Sequence, residues 1–342
     1  MKAYIKAIDY YLPQKILANK DLIKDFPEWS VEKIADKVGV NKRHIAAQNE
    51  TAADLAVEAA KKLFAQGIDK KNIDYILFCT QHPDYFLPTS ACIIQDRLEL
   101  SKNIGAIDFN QGCSGFVYGL SLAKGLILGN IAKNVLLLTA DTYTKKLHEQ
   151  DKGNRTIFGD AAAAALISTE GFAEIGEFSL GTDGSGAENL IIRTGGMRNP
   201  KKMDKVEFDE NNNPVSPDHI YMNGSEIFSF TVKYVPLLVK SVLEKNGLEH
   251  NDIDLFIFHQ ANKYMLDFLR KKIKIDEDKF YIYLSEVGNT VSSTIPIAIC
   301  EARKDNSIKN GTKNLLAGFG VGLSWAGCVL NFNKKLKCGI IY

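Results

Sequence analysis

Twice in this chain an apolar strand-like run gives way to a glycine turn and then to an apolar helix-like run. "GAIDFNQGCSGFVYGLSLAKGL" does so from Gly105, and "YIYLSEVGNTVSSTIPIAICEA" does so from Tyr281. Strands that alternate with helices need crossover connections, which build mainly parallel sheets covered by helices. Other stretches fit the same plan. "YIKAIDYYL", "DYILFCT", "NVLLLTADT", "EIGEFSLGTDG", "DLFIFHQAN" and the paired runs in "NLLAGFGVGLSWAGCVLNF" read as strands. Thr51–Gln66, "TSACIIQDRLEL", "KYMLDFLRKK" and Gly224–Lys245, despite Pro236, read as helices. "AAAAALIST" is a strand by position, although its alanines alone favour helix. After about Gly171 the order starts again, so we expect an α/β fold of two similar halves, 1–173 and 174–342. The polar, turn-rich stretch from Arg193 to Ile220 is expected to be an insertion or flap in the second half.

Composition narrows the function. The 342 residues are 45% apolar and 24% charged, and 42 basic against 41 acidic residues leave a net charge of +1. Nothing global therefore draws the chain to nucleic acid or to an anionic membrane. No uncharged apolar run approaches the roughly 18 residues of a membrane span. The opening "MKAYIKAIDYYLPQ" lacks an apolar core followed by a small-residue cleavage site, so a cytoplasmic location is expected. The six cysteines (Cys79, Cys92, Cys113, Cys300, Cys328 and Cys338) form no CxxC pair and read as reduced thiols, mostly in the core. His219, His250 and His259 lack ligand spacing, so no metal site is expected. "GFGVGLS" is a poor match to a dinucleotide-binding turn.

Cys113 stands where a strand ends and a helix begins, flanked by Gly112 and Gly115. A buried structural thiol is the plain reading of a cysteine. Against it, glycines on both sides permit a tight strand-to-helix turn, and the helix N-terminus favours thiolate, the attacking form. The arrangement parallels a nucleophile elbow. His259 closes the strand "DLFIFHQAN", at the kind of strand end where open α/β sheets place ligands, and a neutral imidazole is expected there. Asn289 in "SEVGNTVSSTIP" suits an N-cap and equally an amide donor to a developing oxyanion. "GFGVGLSW" is a bulge or a place where backbone N–H groups approach a reacting carbonyl.

A cysteine, then "HQAN", then "GNT", in that order, resembles β-ketoacyl-acyl-carrier-protein synthase III of the thiolase superfamily. "VGVNKRHIA", "QHPDYFLPTSACIIQDRL", "FNQGCSGFVYGL", "RTIFGDAAAAALI" and "GFGVGLSWAG" extend the likeness over nearly the whole chain. The resemblance implies a five-layered αβαβα fold, a homodimer and a triad of Cys113, His259 and Asn289. It implies that Cys113 takes an acyl group from a thioester, and that His259 and Asn289 stabilise the enolate left when malonyl-carrier loses CO2. Backbone N–H groups of Cys113 and Val321 match the oxyanion hole. Leu87 matches the residue that closes the partner's acyl tunnel. The aromatic and basic residues that grip coenzyme A are matched by Lys33, Lys37 and Lys152, and Asn262 belongs to the substrate site. The carrier-docking arginine is replaced by Tyr264, with Lys263 beside it. No cofactor is implied, only acyl-CoA or acyl-carrier protein and malonyl-carrier protein as substrates.

Three other readings compete. An acyltransferase passing the Cys113 acyl group to a non-malonyl acceptor would not need Asn289, whose amide serves the enolate. A papain-like hydrolase also heads a helix with its cysteine, but parallel α/β halves argue against it. A non-catalytic partner subunit normally lacks the cysteine that this chain has.

Overall fold

The computed structural model describes residues 1–210 and 212–333. Asn211, in the expected insertion, and Cys338 lie outside the described residues. The first half runs β1 (Tyr4–Tyr11), α1 (Ala52–Ala65), β2 (Tyr75–Cys79), α2 (Ser90–Arg97), β3 (Gly105–Phe109), α3 (Gly115–Leu128), β4 (Asn134–Asp141) and β5 (Ala161–Ser168). The second runs β6 (Ala173–Thr182), α4 (Gly224–Asn246), β7 (Leu255–Phe258), α5 (Lys263–Ile273), β8 (Phe280–Tyr281), α6 (Thr294–Lys304), β9 (Lys313–Gly320) and β10 (Ser324–Phe332).

These ten strands follow the order β3-β2-β4-β5-β1-β6-β10-β9-β7-β8. Read from its outer edge, the second half is the first with five added to every strand number. The directions repeat as well: β2 is parallel to β3 and β4, and β7 to β8 and β9, while the pairings from β4 to β1 and from β9 to β6 are antiparallel. Strands β1 and β6 join the halves of the sheet through two residue pairs, Tyr4 with Glu174 and Ile5 with Ala173.

Side chains alternate across each strand, and here both faces are apolar because both are covered. Ile76, Phe78, Leu136, Leu138, Ala162 and Ala164 face α1 and α2 in one cluster. Leu77, Val135, Leu137 and Ala165 face the other way, onto Phe116, Val117 and Leu120 of α3 and Ile295, Ala298 and Ile299 of α6. The same two helices also pack on Ile257, Leu316 and Ala326 of the second sheet. The opposite face of that sheet, with Phe256, Phe258, Leu315 and Ala317, is covered by Val235, Leu238 and Val239 of α4 and Leu266 and Leu269 of α5. The result is five layers: helix, sheet, helix, sheet, helix.

Local chemistry sets the elements. Thr51 and Asp54 form a reciprocal capping box at the start of α1. Gly247, at φ 61°, ends the 23-residue α4, which carries Pro236 internally. The alanine run of β5 is fully buried as a strand because α1 brings Ala52, Ala53, Ala56, Ala59 and Ala60 against it. Small residues on both sides let helix and sheet approach closely, and that packing overrides alanine's helical preference. One strand is shorter than its sequence suggests. Of "YIYLSEVGN" Tyr281 alone lies in the strand, with Phe280 before it, and Asn289 at its end makes an isolated bridge to Phe158. Between them the backbone finds other partners: Tyr283 N–H donates to Gln260 Oε1 at 2.7 Å, and Ser285 O accepts from Asn41 and Lys42 N–H at 2.8 and 3.1 Å.

The 193–220 segment folds against the body. Its Asp218 carboxylate accepts from Thr194 Oγ1 (2.5 Å), Met203 N–H (3.0 Å) and Asp204 N–H (2.8 Å), and Ile220 N–H donates to Lys146 O at 2.9 Å.

Leu120, wholly buried in the central layer, is expected to stabilise both halves at once. Leu120→Ala should cost about 3 kcal/mol, read as a lower urea midpoint, whereas Lys61→Ala on the exposed side of α1 should change stability by less than about 0.5 kcal/mol.

Candidate active site

The repeat places α3 and α6 as equivalent helices in one layer, and their N-termini adjoin. A Cβ on Gly115, at the head of α3, would stand 3.4 Å from Ser292 Cβ just ahead of α6. Cys113 precedes α3, Asn289 precedes α6, and His259 follows β7. All three side chains are buried.

The glycines around Cys113 serve close approach rather than unusual φ. Neither Gly112 nor Gly115 has a positive φ. A Cβ on Gly112 would come within 2.4 Å of Val321 Cγ1, and one on Gly115 within 2.3 Å of Cys79 Sγ. From the second half, Gly320 passes so near that its Cβ would stand 2.8 Å from both Cβ and Sγ of Cys113. Two buried hydroxyls tie these turns together, Ser114 Oγ to Ser324 Oγ at 2.7 Å, and Ser324 Oγ donates to Val321 O at 2.9 Å. The backbone N–H of Val321 and that of Cys113 itself both reach the Cys113 sulfur.

Burial pushes the Cys113 thiol up to about 12, more than the two N–H groups lower it, and the nearby Asp141 charge adds to the rise. The resting side chain is thus a thiol, which corrects the thiolate expected from the helix N-terminus. Desolvation of a fully enclosed sulfur outweighs the helix end. Burial alone also depresses His259 to about 3, so its imidazole is neutral. Cysteine and histidine are both uncharged in the resting site.

His259 N–H donates to Ala317 O at 2.8 Å, and its ring stands edge-on to Phe319 with centroids 5.8 Å apart. Its Nδ1 lies 2.7 Å from Thr294 Oγ1, and its Nε2 lies 3.4 Å from Asn289 Nδ2. Asn289 Oδ1 accepts the Val291 N–H at 2.9 Å, which turns the amide NH2 toward His259. Val291 holds φ 55°, a costly conformation for a β-branched residue and one that concentrates at functional sites. Behind Cys113, buried Asp141 accepts from Gln81 N–H (2.9 Å) and Ser292 Oγ (2.8 Å), with His82 Nδ1 at 3.3 Å. Tyr143 OH donates to Gln81 Oε1 at 2.5 Å and its ring packs on Phe158.

The remaining sequence candidates lie in separate groups. Lys33 and Lys37 are exposed on the helix Val31–Val38, with Lys33 Nζ 4.8 Å over the Trp29 ring, and Lys152 Nζ pairs with Glu28 Oε1 at 3.0 Å. Trp29 was not singled out from sequence. Asn262 caps α5, accepting Met265 N–H at 2.9 Å. The Lys263 stem lies against Gly39, whose Cβ would fall 2.5 Å from Lys263 Cβ. Tyr264 is exposed, its ring tilted over Phe228 at 5.7 Å. Tyr85, Phe86 and Leu87 form an apolar run, with Leu87 81% exposed. Thr294, Ser114, Ser324 and Asp141 were not singled out from sequence; a hydroxyl in "GNTVSSTIP" is ordinary near a helix start and gives no signal of what it touches. Among the described residues no group of three His, Cys, Asp or Glu is arranged to hold a metal, and no helix is long and apolar enough to cross a membrane.

Two outcomes are expected. Alkylation of Cys113 by iodoacetamide, followed by mass spectrometry, should rise about tenfold per pH unit between pH 7 and 9, since thiolate is the minor form throughout. A plateau below pH 8 would show a stabilised thiolate instead. Gly320→Ala should block acylation of Cys113 by displacing its side chain, at a stability cost of about 1–3 kcal/mol.

Residues 107–184 match the family model for 3-oxoacyl-[acyl-carrier-protein] synthase III, and residues 243–332 match the model for its C-terminal part. A β-ketoacyl-[acyl-carrier-protein] synthase III from Clostridium perfringens is 38% identical over 94% of this chain and 96% of its own length. One from Caldanaerobacter subterraneus is 37% identical over 95% of this chain and 96% of its own. A crystal structure of a 3-oxoacyl-(acyl-carrier-protein) synthase III superimposes with a TM-score of 0.95 at 50% identity, covering 97% of this chain and all (100%) of the other. A 3-oxoacyl-(acyl-carrier protein) synthase from Burkholderia xenovorans gives 0.89 at 34% identity, covering 98% and 95%. With strand order, layers and full-length identity in accord, the chain belongs to the 3-oxoacyl-[acyl-carrier-protein] synthase III family.

Proposed function

We propose that this chain is an acyltransferase that performs a decarboxylative Claisen condensation between an acyl group on Cys113 and malonyl-acyl-carrier protein. The observation that carries the reading is the facing pair of His259 Nε2 and Asn289 Nδ2, 3.4 Å apart, in a buried site shared with a thiol reached by two backbone N–H groups.

In the first half-reaction Cys113 sulfur attacks a thioester carbonyl. The carbonyl oxygen gathers charge and is held by the N–H groups of Cys113 and Val321. The donor's thiol leaves with the proton that the cysteine gives up, and the acyl group stays on sulfur. In the second, malonyl thioester loses CO2, and the electron pair of the broken C–C bond moves into an enolate. Its oxygen takes hydrogen bonds from His259 Nε2–H and the Asn289 amide. The enolate carbon then attacks the acyl carbonyl, Cys113 leaves and takes one proton from water as the 3-oxoacyl thioester is released. Every oxyanion forms against fixed donors in a site closed to bulk water, where such bonds count most.

The acyl donor is a thioester of coenzyme A or of a carrier protein, entering past Trp29, Lys33, Lys37 and Lys152. Lys263 and Tyr264 give the carrier a mixed basic and aromatic landing surface, and Asn262 holds the head of that helix. The exposed Tyr85–Phe86–Leu87 run suits burial against a second copy of the chain, with Leu87 closing the partner's acyl site. The reaction needs no cofactor. A cytoplasmic homodimer is the expected working form.

Intact-protein mass spectrometry with a panel of acyl-CoA and acyl-carrier donors tests the reading. Wild type should gain one acyl mass and Cys113→Ala none. Asn289→Ala should still acquire the acyl group yet release CO2 from malonyl-carrier about 100-fold more slowly or worse. Decarboxylation at the wild-type rate in Asn289→Ala would overturn the assignment.

A further inference from the structure

A polar pair beside Cys113, Gln81 and Tyr143, is used by none of the proposed steps. Tyr143 is buried in one cluster with Cys113 and Phe158, and its hydroxyl donates to Gln81 Oε1 at 2.5 Å. Burial pushes the Tyr143 phenol well up, and the Cys113 sulfur raises it next, ahead of Asp141 and Cys79, so the hydroxyl is neutral and close to the sulfur. The Gln81 oxygen lies against the Cys113 turn, since a Cβ on Gly112 would stand 2.7 Å from it. At the other end the Gln81 amide donates to Asn110 Oδ1 at 3.2 Å. Asn110 in turn lines a cleft of about 290 Å³, together with Thr80, Tyr85 and Phe86. The pair therefore touches the turn that carries the sulfur on one side and reaches a wall of the cleft on the other.

Both side chains are held from several directions. The Tyr143 ring packs on Phe158 at 5.1 Å and meets the His82 ring edge-on at 5.2 Å. The Gln81 backbone N–H is fixed by Asp141 at 2.9 Å. Gly320 closes over Cys113, and in the proposed reaction the N–H groups of Cys113 and Val321 take the acyl oxygen while His259 and Asn289 face the malonyl thioester. We infer that the tail of the acyl group runs toward Gln81 and Tyr143, and that this hydrogen-bonded pair is the specificity-determining wall of the acyl site. Short acyl groups stop against it, and a longer chain must part it to reach the cleft. Parting it puts methylene groups between a buried phenol and an amide oxygen, and each loses its partner. A wall of aliphatic side chains would yield to extra methylenes by repacking, whereas a paired hydroxyl and amide resist them, which sharpens the cut-off in chain length.

This inference deepens the proposed function by naming the class of acyl group, and its test separates the two. Rates of Cys113 acylation by acetyl and octanoyl thioesters, of coenzyme A and of a carrier protein, are read by intact-protein mass spectrometry. In wild type the octanoyl group should transfer about tenfold more slowly than acetyl, or worse. Gln81→Ala removes the wall and should raise the octanoyl-to-acetyl ratio about tenfold. Tyr143→Phe keeps the ring but removes the hydroxyl, and should raise the same ratio about threefold. Octanoyl transfer as fast as acetyl in wild type, an unchanged ratio in both variants, or equal losses for both chains that track a lower melting temperature would each overturn the inference. A wild type acylated by no donor would instead overturn the proposed function. The wall is then read without chemistry, by calorimetry on Cys113→Ala. There, adding Gln81→Ala should tighten the octanoyl thioesters about tenfold more than the acetyl ones, and an equal effect on both would overturn the inference.

Discussion

The close passage of β9 over the nucleophile turn is the constraint on which the site depends. Gly320 leaves no room for even a methyl group above Cys113, and Gly318 comes as near to the turn's backbone, its Cβ falling 2.8 Å from Ser114 Cα. The last hairpin of the second half is thereby pressed onto the third helix of the first. That contact delivers the Val321 N–H to the sulfur, and the Ser114–Ser324 hydroxyl pair holds it there. A site assembled across two halves is only as rigid as their junction. The β1–β6 pairing is too short to serve, so the shared core around α3 and α6 must.

That core follows from duplication. Each half sends its third helix into the middle layer, and the two helices start side by side. One start carries Cys113 and the other Asn289, while His259 follows β7 where Thr80 and Gln81 follow β2. Equivalent places have diverged into different chemistry. The first-half counterpart is not idle, because Gln81 and His82 hold Asp141 and Tyr143 behind the cysteine.

Most of the architecture could be read from the sequence because strand ends, glycine turns and helix starts are local signals. Cys113, His259 and Asn289 stood at such junctions, and the order of their motifs gave the family. What escaped was set by contacts distant in sequence. "YIYLSEVGN" has a strand's composition, yet Gln260 and Asn41 claim its backbone groups, and no window around Tyr283 reveals either partner. Lys33 was read without its neighbour Trp29, whose ring lies beneath the Lys33 ammonium. The charge state of the cysteine was misjudged for a similar reason. A helix start is visible in sequence, but the enclosure that outweighs it comes from β9, some 200 residues away.

Enclosure then shapes the chemistry. With the thiol held near 12 and the imidazole near 3, a standing thiolate–imidazolium pair is disfavoured from both ends. Protons must move together with the bonds that form and break, so that charge appears only on oxygens and sulfurs already facing donors.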